Sequence, residues 1–123
     1  MTTKATPENI SAFKTLFDIA TDGIFIEDET GTIIECNPAA EKIFGYLHGE
    51  LKNVHISKLV PPDFAATLPK VITDEHITGD VYLERINMKK DGTIFPTEIC
   101  TKWALAFSIC ARLRSEKEVS EAQ

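Results

Sequence analysis

An α+β domain, with a five-stranded antiparallel sheet, short helices on one of its faces and an N-terminal cap helix, is what this sequence predicts. Three observations lead there. Two pairs of β-rich runs are each joined by a short glycine-bearing turn, compact capped helical segments lie between the pairs, and an amphipathic helix precedes them all. At 123 residues the chain has room for one core. It divides into a cap helix over residues 1–22, a core over 23–113 and a tail, or the start of a linker helix, over 114–123.

The first element opens at Thr6, Pro7 and Glu8, which supply an N-cap, a first-turn proline and an acid at the positive end of a helix running to about Ala20. Ile10, Phe13, Leu16, Phe17 and Ala20 recur at spacings of three and four and form an apolar stripe that needs a cover. Gly23 to Asp28 and Thr32 to Cys36 flank Glu29-Thr30-Gly31, a spacing that fits a hairpin. Ile24 and Ile26 alternate there with Phe25, so both faces of the hairpin are apolar and the first helix is the natural cover for one of them.

Asn37 and Pro38 open a helix of two turns that Gly45 closes. Single helical turns are expected around His48 to Leu51 and Ile56 to Val60, stopped by Pro61-Pro62. Asp63 to Glu75 reads as partly helical, with Pro69 arguing for a late start capped by Thr67. Val81 to Met88 alternates as a strand, Lys89-Lys90-Asp91-Gly92 is a strong turn, and Thr93 to Thr101 returns as a second strand. Pro96 calls for an outer or interrupted position in it, since proline cannot donate to the ladder.

Trp103 to Leu113 supplies a fifth apolar segment, for which three outcomes are open: a tight turn near Lys102, one long strand pairing with another chain, or a helix from about Ala104. The fifth strand is favoured, because Phe107-Ser108-Ile109-Cys110 suits a strand and the sheet otherwise exposes an edge. Ser115 to Ala122 holds good helix formers in a run too short to be stable alone.

Composition narrows the function. A formal net charge of −6 with scattered Lys and Arg argues against nucleic acid, which is gripped by clustered basic side chains. No apolar run approaches the roughly 20 residues of a membrane helix, and Met1-Thr2-Thr3-Lys4 leads into polar residues, so a cytoplasmic chain with no membrane partner is expected. Cys36, Cys100 and Cys110 are odd in number and lack a Cys-x-x-Cys pair, which reads as buried free thiols rather than zinc ligands or disulfides. The sequence lacks a nucleophile elbow, a phosphate-cradling loop and a His-Glu-x-x-His helix, so no catalytic residues are expected.

The ordered set Leu16-Phe17-Asp18, Thr21-Asp22-Gly23-Ile24, Gly31-Thr32-Ile33-Ile34, Asn37-Pro38-Ala39-Ala40-Glu41, Phe44-Gly45-Tyr46 and Lys90-Asp91-Gly92-Thr93 with Phe95-Pro96 resembles the PAS domain. The resemblance spans roughly Phe13 to Thr101 and implies a sensor domain like those of two-component histidine kinases. Two places depart from the family's pattern. Thr101-Lys102-Trp103-Ala104 holds no turn former, and Arg112-Leu113-Arg114 stands where the family carries an acidic Asp-Ile-Thr-like ending.

The resemblance implies a ligand between the inner sheet face and the helices. Strand alternation puts Val81, Leu83, Arg85, Phe95, Thr97, Ile99 and Thr101 on one face, and Ile24 and Ile26 join them as pocket candidates. The same residues serve equally well as plain core. Arg85 discriminates, because an inward guanidinium needs an anion: Glu41, Glu98 or a ligand carboxylate. The family's flavin photosensors carry a reactive cysteine where this chain has Val54-His55-Ile56-Ser57, which disfavours flavin. Its haem binders carry a histidine on the helix before the third strand, where His76 is the candidate here, although a solvated histidine at a helix end is the commoner case. Haem is disfavoured too, and the cofactor stays unnamed. Ile10, Phe13 and Phe17 are the candidate contacts of a homodimer. The leading expectation is a ligand- or redox-responsive signalling module acting on a kinase or another effector. The alternative is an interaction module without a small-molecule ligand.

Overall fold

The computed structural model describes residues 6–66, 80–104 and 107–113, with 80–83, 103–104 and 107–113 described through their backbone pairing. Helix α1 covers Pro7–Ile19, strands β1 and β2 cover Gly23–Glu27 and Ile33–Cys36, and helix α2 covers Pro38–Phe44. A 3₁₀ turn at Ile56–Leu59 and a short helix α3 at Pro62–Ala65 follow, then β3 at Asp80–Met88, β4 at Ile94–Ala104 and β5 at Phe107–Leu113. No helix among the described residues is long and apolar enough to cross a membrane.

Local chemistry accounts for the ends of these elements. The Thr6 hydroxyl accepts from the Asn9 N–H at 3.1 Å and starts α1. The Asn37 side chain caps α2 by accepting from the Ala40 N–H at 3.0 Å, and Gly45 stops it with φ of 78°, a left-handed conformation that costs glycine little. In the β1–β2 turn, Asp28 Oδ1 accepts from the Thr30 N–H, the Thr30 hydroxyl and the Thr32 N–H. These bonds, the hydroxyl's foremost, hold the Asp28 carboxyl below its ordinary range. In the β3–β4 turn Asp91 accepts from the Thr93 N–H at 2.9 Å, and Gly92 takes a positive φ.

All strand pairings are antiparallel, in the order β2-β1-β5-β4-β3. β3 and β4 pair without a shift from Asp80↔Lys102 to Met88↔Ile94. β5 pairs with β4 from Cys100↔Ala111 to Ala104↔Phe107, so the pairing continues past Lys102, where a turn was one expected outcome. The segment is a strand of this chain's own sheet rather than a helix, because it finds partners on both sides, in β4 and in β1. Pro96 lies opposite Ile86 and beyond the part of β4 that also pairs with β5, so its missing N–H spares the two-sided ladder.

Phe25, Phe44 and Phe95 lead a core that also takes in Ile33, Leu51, Leu59 and Ile99. The expected covering of the sheet by α1 is not observed. α1 rests against α2 and contributes no buried residue, and Ile10, Phe13, Leu16 and Ile19 are between 58% and 67% exposed. It is α2 that covers the hairpin. Gly23 lies so close beneath it that an added Cβ would stand 3.1 Å from the Ala40 Cα. The Thr67 cap, Pro69 and the His76 position lie outside the described residues.

Candidate functional site

The interior face of β3 and β4 is where buried polar groups gather. Phe95, Thr97, Ile99 and Thr101 alternate inward along β4 and are all buried. Register puts Asn87, Arg85, Leu83 and Val81 directly opposite them, in that order. Residues directly opposite one another share a face, so the strand parity read from the sequence holds for Arg85. Val81 and Leu83 are placed by register alone.

Ile24 and Ile26 are placed differently from the expectation. Gly23, Phe25 and Glu27 are the buried positions of β1, and the two isoleucines lie half-buried on the other face of the strand. The reason is the close approach at Gly23: the face that carries the glycine is the one α2 can reach, so Phe25 occupies the interior instead. Its ring meets Phe44 edge-on at 5.6 Å, and Phe44 meets Phe95 at 5.4 Å. This trio fills the space between α2, β1 and β4.

Next to the trio lies a polar network that the sequence reading missed. The Thr97 hydroxyl donates to Asn87 Oδ1 at 2.5 Å and lies 3.2 Å from the Arg85 carbonyl, and Asn87 Nδ2 donates to the Leu59 carbonyl at 2.8 Å. One amide thus joins the 3₁₀ turn to both strands. The signal was available, since Asn87 continues the alternation of Val81, Leu83 and Arg85.

Arg85 is half-buried on this face. Neither carboxylate expected to meet it does so as foreseen. Glu41 is buried under the α2 end, where it accepts from the Gly49 N–H at 2.8 Å and lies 3.3 Å from His48 Nδ1. Glu98 stands between the buried Thr97 and Ile99, which puts it on the opposite face. Among the described residues the structure gives Arg85 no ion pair. Thr97 and Asn87 already satisfy each other and the Leu59 carbonyl, so the half-buried Arg85 guanidinium, beside aromatic and aliphatic walls, is the group on this face suited to orienting a small polar molecule with an apolar body.

The remaining candidates are scattered. Ile10 and Phe13 are exposed on α1, and Phe17 is half-buried where α1 meets the core. Cys36 is buried, and its thiol is pushed up to about 12 by burial and by the nearby Glu41 and Glu35 charges. Cys100 is exposed. His55, in the segment where the family's flavin photosensors carry a reactive cysteine, accepts through Nδ1 from the Ser57 N–H at 3.1 Å and reaches the Thr30 carbonyl through Nε2 at 2.8 Å, bracing the 3₁₀ turn against the first hairpin.

Comparison with known proteins matches residues 21–106 to the family described as PAS domain. An uncharacterized protein of Azorhizobium caulinodans is 26% identical over an alignment of 95 residues that covers 72% of this chain. The chain spans only 13% of that relative's length. A domain of a sensory box sensor histidine kinase/response regulator from Geobacter sulfurreducens superposes with a TM-score of 0.78 at 21% identity, covering 89% of this chain and 97% of that one. The RpfR quorum-sensing receptor PAS domain of Cronobacter turicensis, solved in complex with BDSF, superposes with a TM-score of 0.66 at 22% identity, covering 75% of this chain and 91% of that one. At these identities the likeness is one of fold.

Proposed function

The chain belongs to the PAS domain family, and from that premise we propose that it is a non-catalytic sensory module that takes a small organic acid against the inner face of β3 and β4. On this reading the bound molecule shifts a continuous five-stranded sheet, and the shift passes to a kinase or another effector in the cytoplasm. Arg85 carries the proposal. It shares a face with the buried Thr97, Ile99 and Thr101 and, among the described residues, has no carboxylate of the protein as partner. A buried or half-buried guanidinium is best satisfied by an anion, and a ligand carboxylate supplies one in bidentate geometry. A PAS domain of similar fold has been captured with a small molecule, which supports looking for one here.

The test begins with native mass spectrometry of freshly purified protein, which reports retained small molecules and oligomeric state together. Calorimetry with the acid so identified is then expected to show binding to the native chain and at least about tenfold weaker binding to Arg85→Ala, the loss of one charge-assisted bond. Equal affinity for the two proteins removes the assignment.

A second reading has its own observation. Ile10, Phe13, Leu16 and Ile19 leave α1 with a wet apolar stripe, which favours self-association through this helix as the route by which the module acts on its partners. Light scattering at high concentration is expected to give a dimer that Phe13→Glu dissociates. A native chain that stays monomeric throughout the range rules this out.

A further inference from the structure

We propose that α1 is a strap held to the core through the Asn37 amide, and that it undocks as a unit while the rest of the domain stays folded. The inference is independent of any ligand. Asn37 is fully buried, and its amide makes four hydrogen bonds. The oxygen accepts from the Ile24 N–H at 2.9 Å and the Ala40 N–H at 3.0 Å, and so serves β1 and the start of α2. The nitrogen donates to the Phe17 and Asp22 carbonyls, each at 3.0 Å, and so serves the last turn of α1 and the link that follows it. An amide has two donor hydrogens and a two-lone-pair oxygen, so its capacity is used in full. Its two ends serve two different bodies.

Among the described residues the helix meets the core otherwise through the half-buried Phe17 and its contacts with α2. α1 contributes no buried residue, and its four most exposed apolar side chains point to water. Nor is the helix packed flush: a groove of about 580 Å³ separates Lys14, Phe17 and Asp18 on α1 from Glu35, Cys36 and Pro38 on the core. The Phe17 carbonyl belongs to the last turn, whose carbonyls have no partner within the helix, so Asn37 supplies a bond that α1 cannot make for itself. A 13-residue helix is marginal alone in water, and an undocked α1 therefore melts. Elements with few buried contacts are the ones that open first, below the free energy of global unfolding.

Amide hydrogen exchange on the full chain tests this with two variants. Asn37→Asp keeps an oxygen for the Ile24 and Ala40 N–H groups but sets a second oxygen against the Phe17 and Asp22 carbonyls. Asn37→Ser can still cap α2, and its hydroxyl is too short to hold Phe17 as well. Exchange of the α1 amides is expected to rise by at least about tenfold in a folded variant, while the α2 amides and the β1 amides other than Ile24, whose own acceptor is Asn37, stay within about twofold of native. If the aspartate variant fails to fold, the serine variant decides alone. Unchanged α1 exchange in a folded variant overturns the proposal, and so does an equal rise across α1 and the core, because strap and core would then open as one.

Discussion

Thr97→Val is the sharpest probe of the interior, because it removes one hydroxyl and almost no volume. Thr97 and Asn87 are 1% and 3% exposed, so water does not replace what is lost. The substitution strips Asn87 Oδ1 of the donor that sits 2.5 Å away. A buried acceptor left without a partner costs about 1 to 3 kcal/mol, and the added methyl offsets part of it, which leaves a net loss of about 1 to 2 kcal/mol. For a domain of this size that is roughly 3 to 8 °C in Tm. Urea denaturation should show a lower midpoint at an unchanged m-value. Asn87→Leu removes the acceptor as well as the bond to the Leu59 carbonyl, and the double variant should cost about 1 kcal/mol less than the two single losses added together. A Thr97→Val midpoint within about 0.3 kcal/mol of native, or a cycle that closes to zero, would refute the claim that this bond is buried and made.

Gly23→Ala is expected to destabilise by about 1 to 3 kcal/mol, since its Cβ meets the Ala40 backbone. Gly45→Ala meets open space and pays only for its left-handed backbone, about 1 kcal/mol; thermal melts that reverse this order would contradict the close approach of α2 to β1. Cys36 should resist thiol labelling at neutral pH while Cys100 reacts, as site-resolved mass spectrometry would show; comparable rates would contradict its burial. The Cys36 shift also fixes a sign. Its folded thiol titrates at about 12 against an ordinary 9.0, so between these values the unfolded chain gives up a proton that the folded chain keeps. Stability is therefore whole below pH 9 and falls as pH rises from there, and Cys36→Ala should flatten that limb of the curve. Asp28 works in the opposite sense: its carboxyl is held below 3.8, so its contribution is present above that value and is lost as pH falls through the lowered one. Asp28→Asn should shrink the loss of urea midpoint on acidification.

Legibility from the sequence followed the range of the forces involved. Thr6, Asn37 and Gly45 announced helix ends correctly because a cap is made within four residues of itself. The inward parity of Phe95, Thr97, Ile99 and Thr101 could be read because β3 and β4 pair without a shift. The face of β1 could not be read from alternation. Both its faces are apolar, its pairings shift register between Ile26 and Glu27 and between Gly23 and Phe25, and only the space demanded at Gly23 says which face meets α2. Periodicity likewise showed that α1 has a stripe but not what the stripe meets. The end of β4 could not be placed from the sequence, because residues 101–104 carry no turn former and long-range pairing with β5 carries the strand on to Ala104.

The interior is divided in a way that suits a sensor better than a plain core. Phe25, Phe44 and Phe95 pack edge-on and fill the side beneath α2, whereas Asn87, Thr97, Thr101 and Arg85 bring polar atoms to the β3–β4 side. Apolar packing of the same shape can replace such hydrogen bonds at little cost, so stability alone does not require that polarity. On the proposed reading the polar side recognises, and the hydrogen-bond ladder conveys. β4 pairs with β5, β5 with β1, and the Ile24 N–H of β1 is held by the same Asn37 that holds α1. A molecule that shifts β4 should therefore change exchange at the α1 amides, and Asn37→Ser should uncouple the two while leaving affinity intact. Binding that alters α1 equally in both proteins would mean that the signal reaches the helix by another route.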